Sequence, residues 1–173
     1  MSAATPGRSA TPAAGSPARP PMAHPVPLAR LLQVAIVVED VEAALDHWCR
    51  LLDVERPEVR VSSKEPNPDE TYRGDTAAYS LKLAVIECPE RGLVLELQEP
   101  DENPSTFREF LTAHGPGVHH LGFVVGDERD AVVEELQAEG YALRTVGFYP
   151  GGSWTVVDAE ARLGVNLNIK PRP

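Results

Sequence analysis

The sequence predicts an α+β fold in which paired βαβββ modules form a curved, partly closed mixed sheet around a central groove. Three observations carry this expectation. The stretch LLQVAIVVEDVEAALDHWCRLLDV, residues 31–54, is an apolar strand and an acidic turn, then Ala44, Leu45, Trp48 and Leu52 at helical spacing. The same order returns from His120, where HLGFVVGDERDAVVEELQAEG reads as a strand, a turn and a helix with Ala131, Val132 and Leu136 on one face. Both halves also end alike, because GLVLELQ at 92–98 overlays GVNLNIK at 164–170. Neither half can bury its apolar sheet face alone, so the two pack together with their helices outside.

Taken in order, residues 1–28 are an Ala/Pro-rich tail in which Ala, Pro, Ser, Thr and Gly dominate. Such a stretch buries too little apolar surface to offset the entropy of ordering and is expected to be disordered. It contains no continuous apolar run, so neither a signal peptide nor a membrane span is expected and the protein is read as cytoplasmic. Residues 29–173 form one domain: module one at 31–99, a linking helix at 104–113 and module two at 117–170. Asp40 and Asp127 stand at the N-cap positions of the two module helices, and Gly140 stands at a C-cap.

SSKEPNPDETYRGD, residues 62–75, is polar and turn-rich and reads as an exposed loop or lid, with Asp75 a possible lid carboxylate. YSLKLAVIE and LVLELQE are the later strands of module one; YALRTVGFY, SWTVVDA and GVNLNIK are those of module two. Between the modules, NPSTFREFLTAHGPG is a short helix carrying Phe107, Phe110 and Leu111, stopped by Gly-Pro-Gly.

Charge narrows the partners. With 26 acidic and 16 basic residues the formal net charge is -10, which argues against non-specific binding to nucleic acid or an anionic membrane but not against a local basic patch for a phosphate-bearing ligand. Cys49 and Cys88 form no CxxC pair and are read as reduced structural residues.

The polar residues inside apolar strands carry the chemistry. In an extended strand His119 and His120 point to opposite faces, so at most one of them serves a given site. Overlaying the modules places Gln33 on His120, and Glu96 on Asn168. Glu96 lies between Leu95 and Leu97, and Asn168 between Leu167 and Ile169, so both alternate away from an apolar face. Gln33 and His120 are expected to face each other across the groove, as are Glu96 and Asn168. Tyr72, Tyr79, Phe148, Tyr149 and Trp154 either pack at strand ends or line one end of the groove as substrate-binding residues. His47 and His114 are read as surface residues.

At these residues the sequence resembles the vicinal oxygen chelate superfamily, the glyoxalase / bleomycin-resistance / dioxygenase group, and within it most nearly the methylmalonyl-CoA epimerases. QVAIVVEDVEAAL, LELQEP followed by PSTFREFLTAHGPGVHHLGFVV, and VVDAEARLGVNLNI carry the resemblance, over roughly residues 31–170. It implies a single vicinal oxygen chelate domain and a divalent metal held by Gln33, Glu96, His120 and Asn168. Two departures matter: Gln33 stands where the epimerases usually have His, and Asn168 where the family usually has Glu. The set suits Zn, Mn, Co, Ni or Fe(II) weakly, since amide oxygens donate less than carboxylates; the other reading is a metal-free polar cluster.

The resemblance implies an isomerase or lyase, an isomerase-, epimerase- or cyclase-like enzyme acting on a small carbonyl or acyl substrate. Glu96 is the expected base, His120 its partner, and Asn168, which cannot take a proton, a donor to a developing oxyanion. The family's second catalytic Glu, early in the module-one sheet, has no match in TAAYSLKLA, where the facing residues are Ala and Ser. Weak or no epimerisation of methylmalonyl-CoA itself is therefore expected. The alternative is a non-catalytic binding protein that sequesters an antibiotic or pathway product. Family members often pair, so a homodimer is expected.

Overall fold

Alternation along strand β1 (Arg30–Val37) decides the architecture. Val34 and Ile36 pack with Leu45 and Cys49 of helix α1 (Val41–Leu52) in an apolar cluster, while Gln33, Ala35 and Val37 turn to the opposite, inner face of the sheet. The computed structural model describes residues 28, 30–62, 67, 69–88, 90, 92–149 and 152–172; the N-terminal tail at 1–27 lies outside them. Asp40 caps α1 as expected, its side chain accepting from the Ala43 N–H, a contact worth about 1 kcal/mol.

Module one continues through β2 (Arg60–Val61), the short strands β3 (Thr71–Tyr72) and β4 (Asp75–Thr76), β5 (Leu81–Cys88) and β6 (Leu93–Pro100). Helix α2 (Thr106–His114) links it to module two, which comprises β7 (Gly117–Val124), α3 (Arg129–Ala138), β8 (Ala142–Tyr149), β9 (Gly152–Asp158), the single-turn α4 (Glu160–Leu163) and β10 (Asn166–Lys170). All ten strands share one sheet in the order β2-β5-β6-β1-β7-β10-β9-β8-β3-β4. The sheet is mixed: β1 runs parallel to β6 and antiparallel to β7, and β10 runs parallel to β7. Helix α3 buries Val132, Val133 and Leu136 against Leu167 and Ile169, the module-two counterpart of the α1 cluster. Helix α2 covers the inner face, where Phe107 and Phe110 pack with Val37, Ala77, Tyr79 and Leu81.

Several expectations need correction. Gln33 and His120 are not opposed across a groove, because β1 and β7 are hydrogen-bonded neighbours at the seam between modules, with Gln33 opposite Gly122 and Ala35 opposite His120. Asp127 does not cap α3; it sits in a 3-10 turn at Gly126–Glu128 and makes no side-chain cap bond. Ala131 is exposed, and Val133 takes its place on the buried face of α3.

The described part of the 62–75 insertion is no free loop. Its β3-β4 hairpin turns at Arg73 and Gly74, both at positive φ as the tight two-residue hairpin turn requires. It crosses to module two and pairs with β8, Thr71 opposite Val146 and Tyr72 opposite Thr145. The Arg73 N–H donates to the Arg144 carbonyl at 2.7 Å, and Thr145 Oγ1 to the Thr71 carbonyl at 2.5 Å. No helix among the described residues is long and apolar enough to cross a membrane.

Candidate functional site

Four adjacent strands, β6, β1, β7 and β10, place their inner-face residues in two rows. One row runs Val94, Gln33, Gly122, Asn168; the next runs Glu96, Ala35, His120, Asn166. Gly122 leaves a gap that the Gln33 side chain fills, since a Cβ there would lie 2.6 Å from Gln33 Oε1. Gln33 thereby reaches across the seam. Its Nε2 donates to Glu96 Oε2, and its Oε1 accepts from Lys170 Nζ at 3.2 Å. Gln98, two residues beyond Glu96, donates to the other carboxylate oxygen at 2.5 Å.

Gln33, His120 and Asn168 are buried, whereas Glu96 and Lys170 keep part of their surface open. Burial raises the Glu96 pKa above the ordinary carboxylate value, while the Lys170 charge and the Gln98 and Gln33 amides pull it down without cancelling that shift. Glu96 is thus a half-buried carboxylate with raised basicity, held from both sides by amide donors.

On the other side of the seam the histidines form a directed chain. The register shift between Ala35 and Ile36 is a bulge that inserts His119 between the residues facing them, His120 and Val118. It turns both rings to one side, so that His119 Nδ1 lies 2.9 Å from His120 Nδ1. The expectation that strand alternation keeps them apart fails at this bulge.

The direction of each bond follows from one unambiguous donor, the backbone N–H of Thr155, which bonds to Asn168 Oδ1 at 3.2 Å. Asn168 Nδ2 must then face His120 Nε2, 3.3 Å away, and donate to it. The His120 proton is therefore on Nδ1 and is given to His119 Nδ1. His119 in turn donates from Nε2 to Thr106 Oγ1 at 3.0 Å. Burial holds both rings neutral, lowering the His119 pKa to about 3 and that of His120 well below the usual histidine range. His120 in this state has no free lone pair and does not touch Glu96 as a base.

This arrangement tests the fit of the divalent metal that the fold family implies. Gln33 Oε1 is taken by Lys170, Asn168 Oδ1 by the Thr155 N–H, and His120 Nε2 by Asn168. Glu96 alone carries a negative charge, and its two oxygens already accept from Gln33 and Gln98. Among the described residues no group of three or more His, Cys, Asp or Glu is placed to hold a metal ion. As arranged, the four residues do not fit a divalent cation.

The aromatic residues fall elsewhere. Tyr79 and Trp154 pack around Phe107 at ring-centroid distances of 5.9 and 5.6 Å. Tyr72 bonds to Glu109 of α2. Phe148 and Tyr149 are exposed at the far end of β8. Asp75 is exposed beside a recess lined by Tyr72, Arg73, Thr76 and Pro104, and His47 and His114 are exposed as expected.

Three polar residues near the quartet escaped the reading of the sequence: Gln98, Lys170 and Glu87. Each shares a strand face with a residue that was singled out or faces one, since Gln98 follows Glu96 by two, Lys170 follows Asn168 by two, and Glu87 alternates with Val85 opposite Glu96. The period-two rule applied one step further identifies all three.

A family model described as the Glyoxalase/Bleomycin resistance protein/Dioxygenase superfamily matches residues 32–157. Among solved structures, methylmalonyl-CoA epimerase from Mycobacterium tuberculosis is 21% identical, over 83% of this chain and 88% of that one, with a TM-score of 0.55. A methylmalonyl-CoA epimerase in complex with methylmalonyl-CoA and NH4+ is 20% identical over 82% and 92%, with a TM-score of 0.56. A variant of the Streptomyces coelicolor methylmalonyl-CoA epimerase in complex with 2-nitronate-propionyl-CoA is 21% identical over 82% and 95%, at 0.55. At these identities the likeness is one of fold. No curated protein matches the chain.

Proposed function

Since the chain belongs to the glyoxalase/bleomycin resistance protein/dioxygenase superfamily, we propose that it is an enzyme of the isomerase or epimerase kind, moving a proton on carbon beside the carbonyl of a small acyl or carbonyl substrate. The observation that carries this reading is Glu96: a partly open carboxylate, raised in pKa by burial and oriented by Gln33 and Gln98. A base that must take a proton from carbon near neutral pH needs this orientation and raised basicity.

Solved relatives bind CoA esters, and an acyl thioester is one member of the proposed substrate class. Methylmalonyl-CoA itself is not the proposed substrate. On the inner face of module one, Ala77, Tyr79, Leu81, Leu83 and Val85 are uncharged. The first carboxylate beyond them on that face is the exposed Glu87.

The test is solvent-deuterium exchange into a panel of small acyl thioesters and 2-oxo compounds. Replacing Glu96 by Gln keeps shape and removes the proton acceptor, and is expected to cost at least about 10²-fold in exchange while altering ligand affinity only mildly. Exchange that survives Glu96→Gln would refute the assignment; ligand binding without exchange in the unaltered protein would identify a binding protein. We further propose a homodimer, which light scattering giving a mass near 18.7 kDa at micromolar concentration would reject.

A further inference from the structure

We propose that the Lys170 ammonium takes the place of the divalent cation in this chain, so that the site polarises a single substrate oxygen with a tethered positive charge. The inference deepens the proposed proton-transfer function and rests on it for the role of Glu96. Three observations support it.

Lys170 Nζ lies 3.2 Å from Gln33 Oε1, the oxygen that a metal in this family's arrangement would take. Asn168 Oδ1 and His120 Nε2 are engaged by the Thr155 N–H and by Asn168 Nδ2, and the Glu96 oxygens accept from Gln33 and Gln98. Lys170 is also the partly open cation beside the partly open Glu96; its charge acts on the Glu96 carboxylate and on the His120 ring.

An ammonium and a metal differ in what they bind. A metal with open positions accepts two neighbouring oxygens at once, whereas a lysine offers N–H donors around a point charge and has no coordination shell to share. The substrate class is therefore one with an acidic C–H beside a single carbonyl oxygen, such as a thioester or ketone, without the need for a second chelating oxygen. In the proposed step the C–H bond breaks and its proton goes to the Glu96 carboxylate. The bonding pair forms the carbon–carbon double bond, and the carbonyl oxygen becomes an enolate oxygen hydrogen-bonded to Lys170. Return of that proton from Glu96 to the same face completes an exchange, and delivery of a solvent proton to the opposite face, with Glu96 releasing its own to water, completes an epimerisation, with no net redox change.

The experiment uses the full chain after chelator treatment, with the nitronate of nitroethane as an enolate-like anionic probe and Mn2+ and Zn2+ as competing cations, all followed by calorimetry. Lys170→Met is expected to weaken nitronate binding by at least about tenfold, as loss of one charge-assisted contact predicts. Lys170→Arg, which keeps the charge, is expected to restore most of that affinity. Circular dichroism and thermal unfolding of each variant establish that it is folded.

Nitronate affinity unchanged in folded Lys170→Met overturns the proposal. So does stoichiometric Mn2+ or Zn2+ binding that Glu96→Gln abolishes. These outcomes are separate from the proton-transfer reading, which stands or falls on deuterium exchange in Glu96→Gln.

Discussion

His119 and His120, adjacent in the chain, meet ring to ring with their Nδ1 atoms 2.9 Å apart. Only one nitrogen of that pair can carry a proton, and the Thr155–Asn168 bond upstream decides which. Nitrogen-15 chemical shifts are therefore expected to report His120 protonated at Nδ1 and His119 at Nε2. Asn168→Asp replaces the donor amide by an acceptor and is expected to reverse both tautomers. Unchanged ring shifts in that variant would show that the chain does not run in this direction.

The same pair predicts acid sensitivity. Both folded-state pKa values lie below the unfolded value near 6.5. The unfolded chain therefore binds protons first as pH falls, and the associated stability, complete above about 6.5, is lost on the way down towards the folded-state values. Each ring contributes a slope of up to about 1.4 kcal/mol per pH unit below that point. Urea midpoints at pH 7.5 and 5.0 check this: they should fall steeply in the unaltered protein and less so in His119→Gln.

Gly122→Ala is expected to cost about 1–3 kcal/mol, because the new methyl would lie 2.6 Å from Gln33 Oε1 and 2.7 Å from Gln33 Cβ. Adding Gln33→Ala should recover only part of the loss, since the Cβ contact remains. Full recovery would show that the amide alone occupies the gap.

If Glu96 is the base, exchange requires its ionised form. The rate should rise with pH through an acid limb whose midpoint lies above the ordinary carboxylate value of 4.5, in the direction that burial imposes. A pH–rate profile of the unaltered protein measures that midpoint. A limb at or below 4.5 would mean that another group is titrating.

Arg144 supplies a prediction away from the site. Nearly buried, it faces Asp158 at 3.3 Å, Glu160 at 3.5 Å and Glu109 at 3.6 Å. Arg144→Ala leaves these carboxylates without their shared cation and is expected to destabilise the fold by about 3 kcal/mol. Thermal unfolding of the variant measures the loss, and a shift under a degree would mean that solvent already screens the group.

Much of this was legible in the residues. Apolar spacing marked β1, α1, β5, β6, β7, β9 and β10 because each must bury one face. The alternation of Glu96 with Leu95 and Leu97, and of Asn168 with Leu167 and Ile169, placed both on the inner face. What escaped were features set by contacts between distant segments. The bulge at His119 is a register shift against β1, and nothing in GVHH announces it. Asp127 resembles a cap by composition, but the 3-10 turn delays the helix by a residue or two. The aromatic residues could not be divided between site and packing until α2 was seen to cover the inner face with Phe107 and Phe110. Lys170 is not a metal-ligand residue type, and only its period-two spacing from Asn168 ties it to the inner face.

The β3-β4 hairpin belongs by sequence to the first half of the chain and by hydrogen bonding to the second, through Thr71 and Tyr72 on β8. The halves therefore do not mature as separate units. Strand β8 lacks its outer neighbour until residues far earlier in the chain have crossed over, so this pairing, like the β1–β7 seam, adds a loop-closure entropy and raises the contact order of the fold. Once made, it joins the two modules a second time, at the far end of the sheet from the β1–β7 seam. A chain severed between them would have to recover its fold by association of the pieces, with the hairpin of one serving as the missing strand of the other.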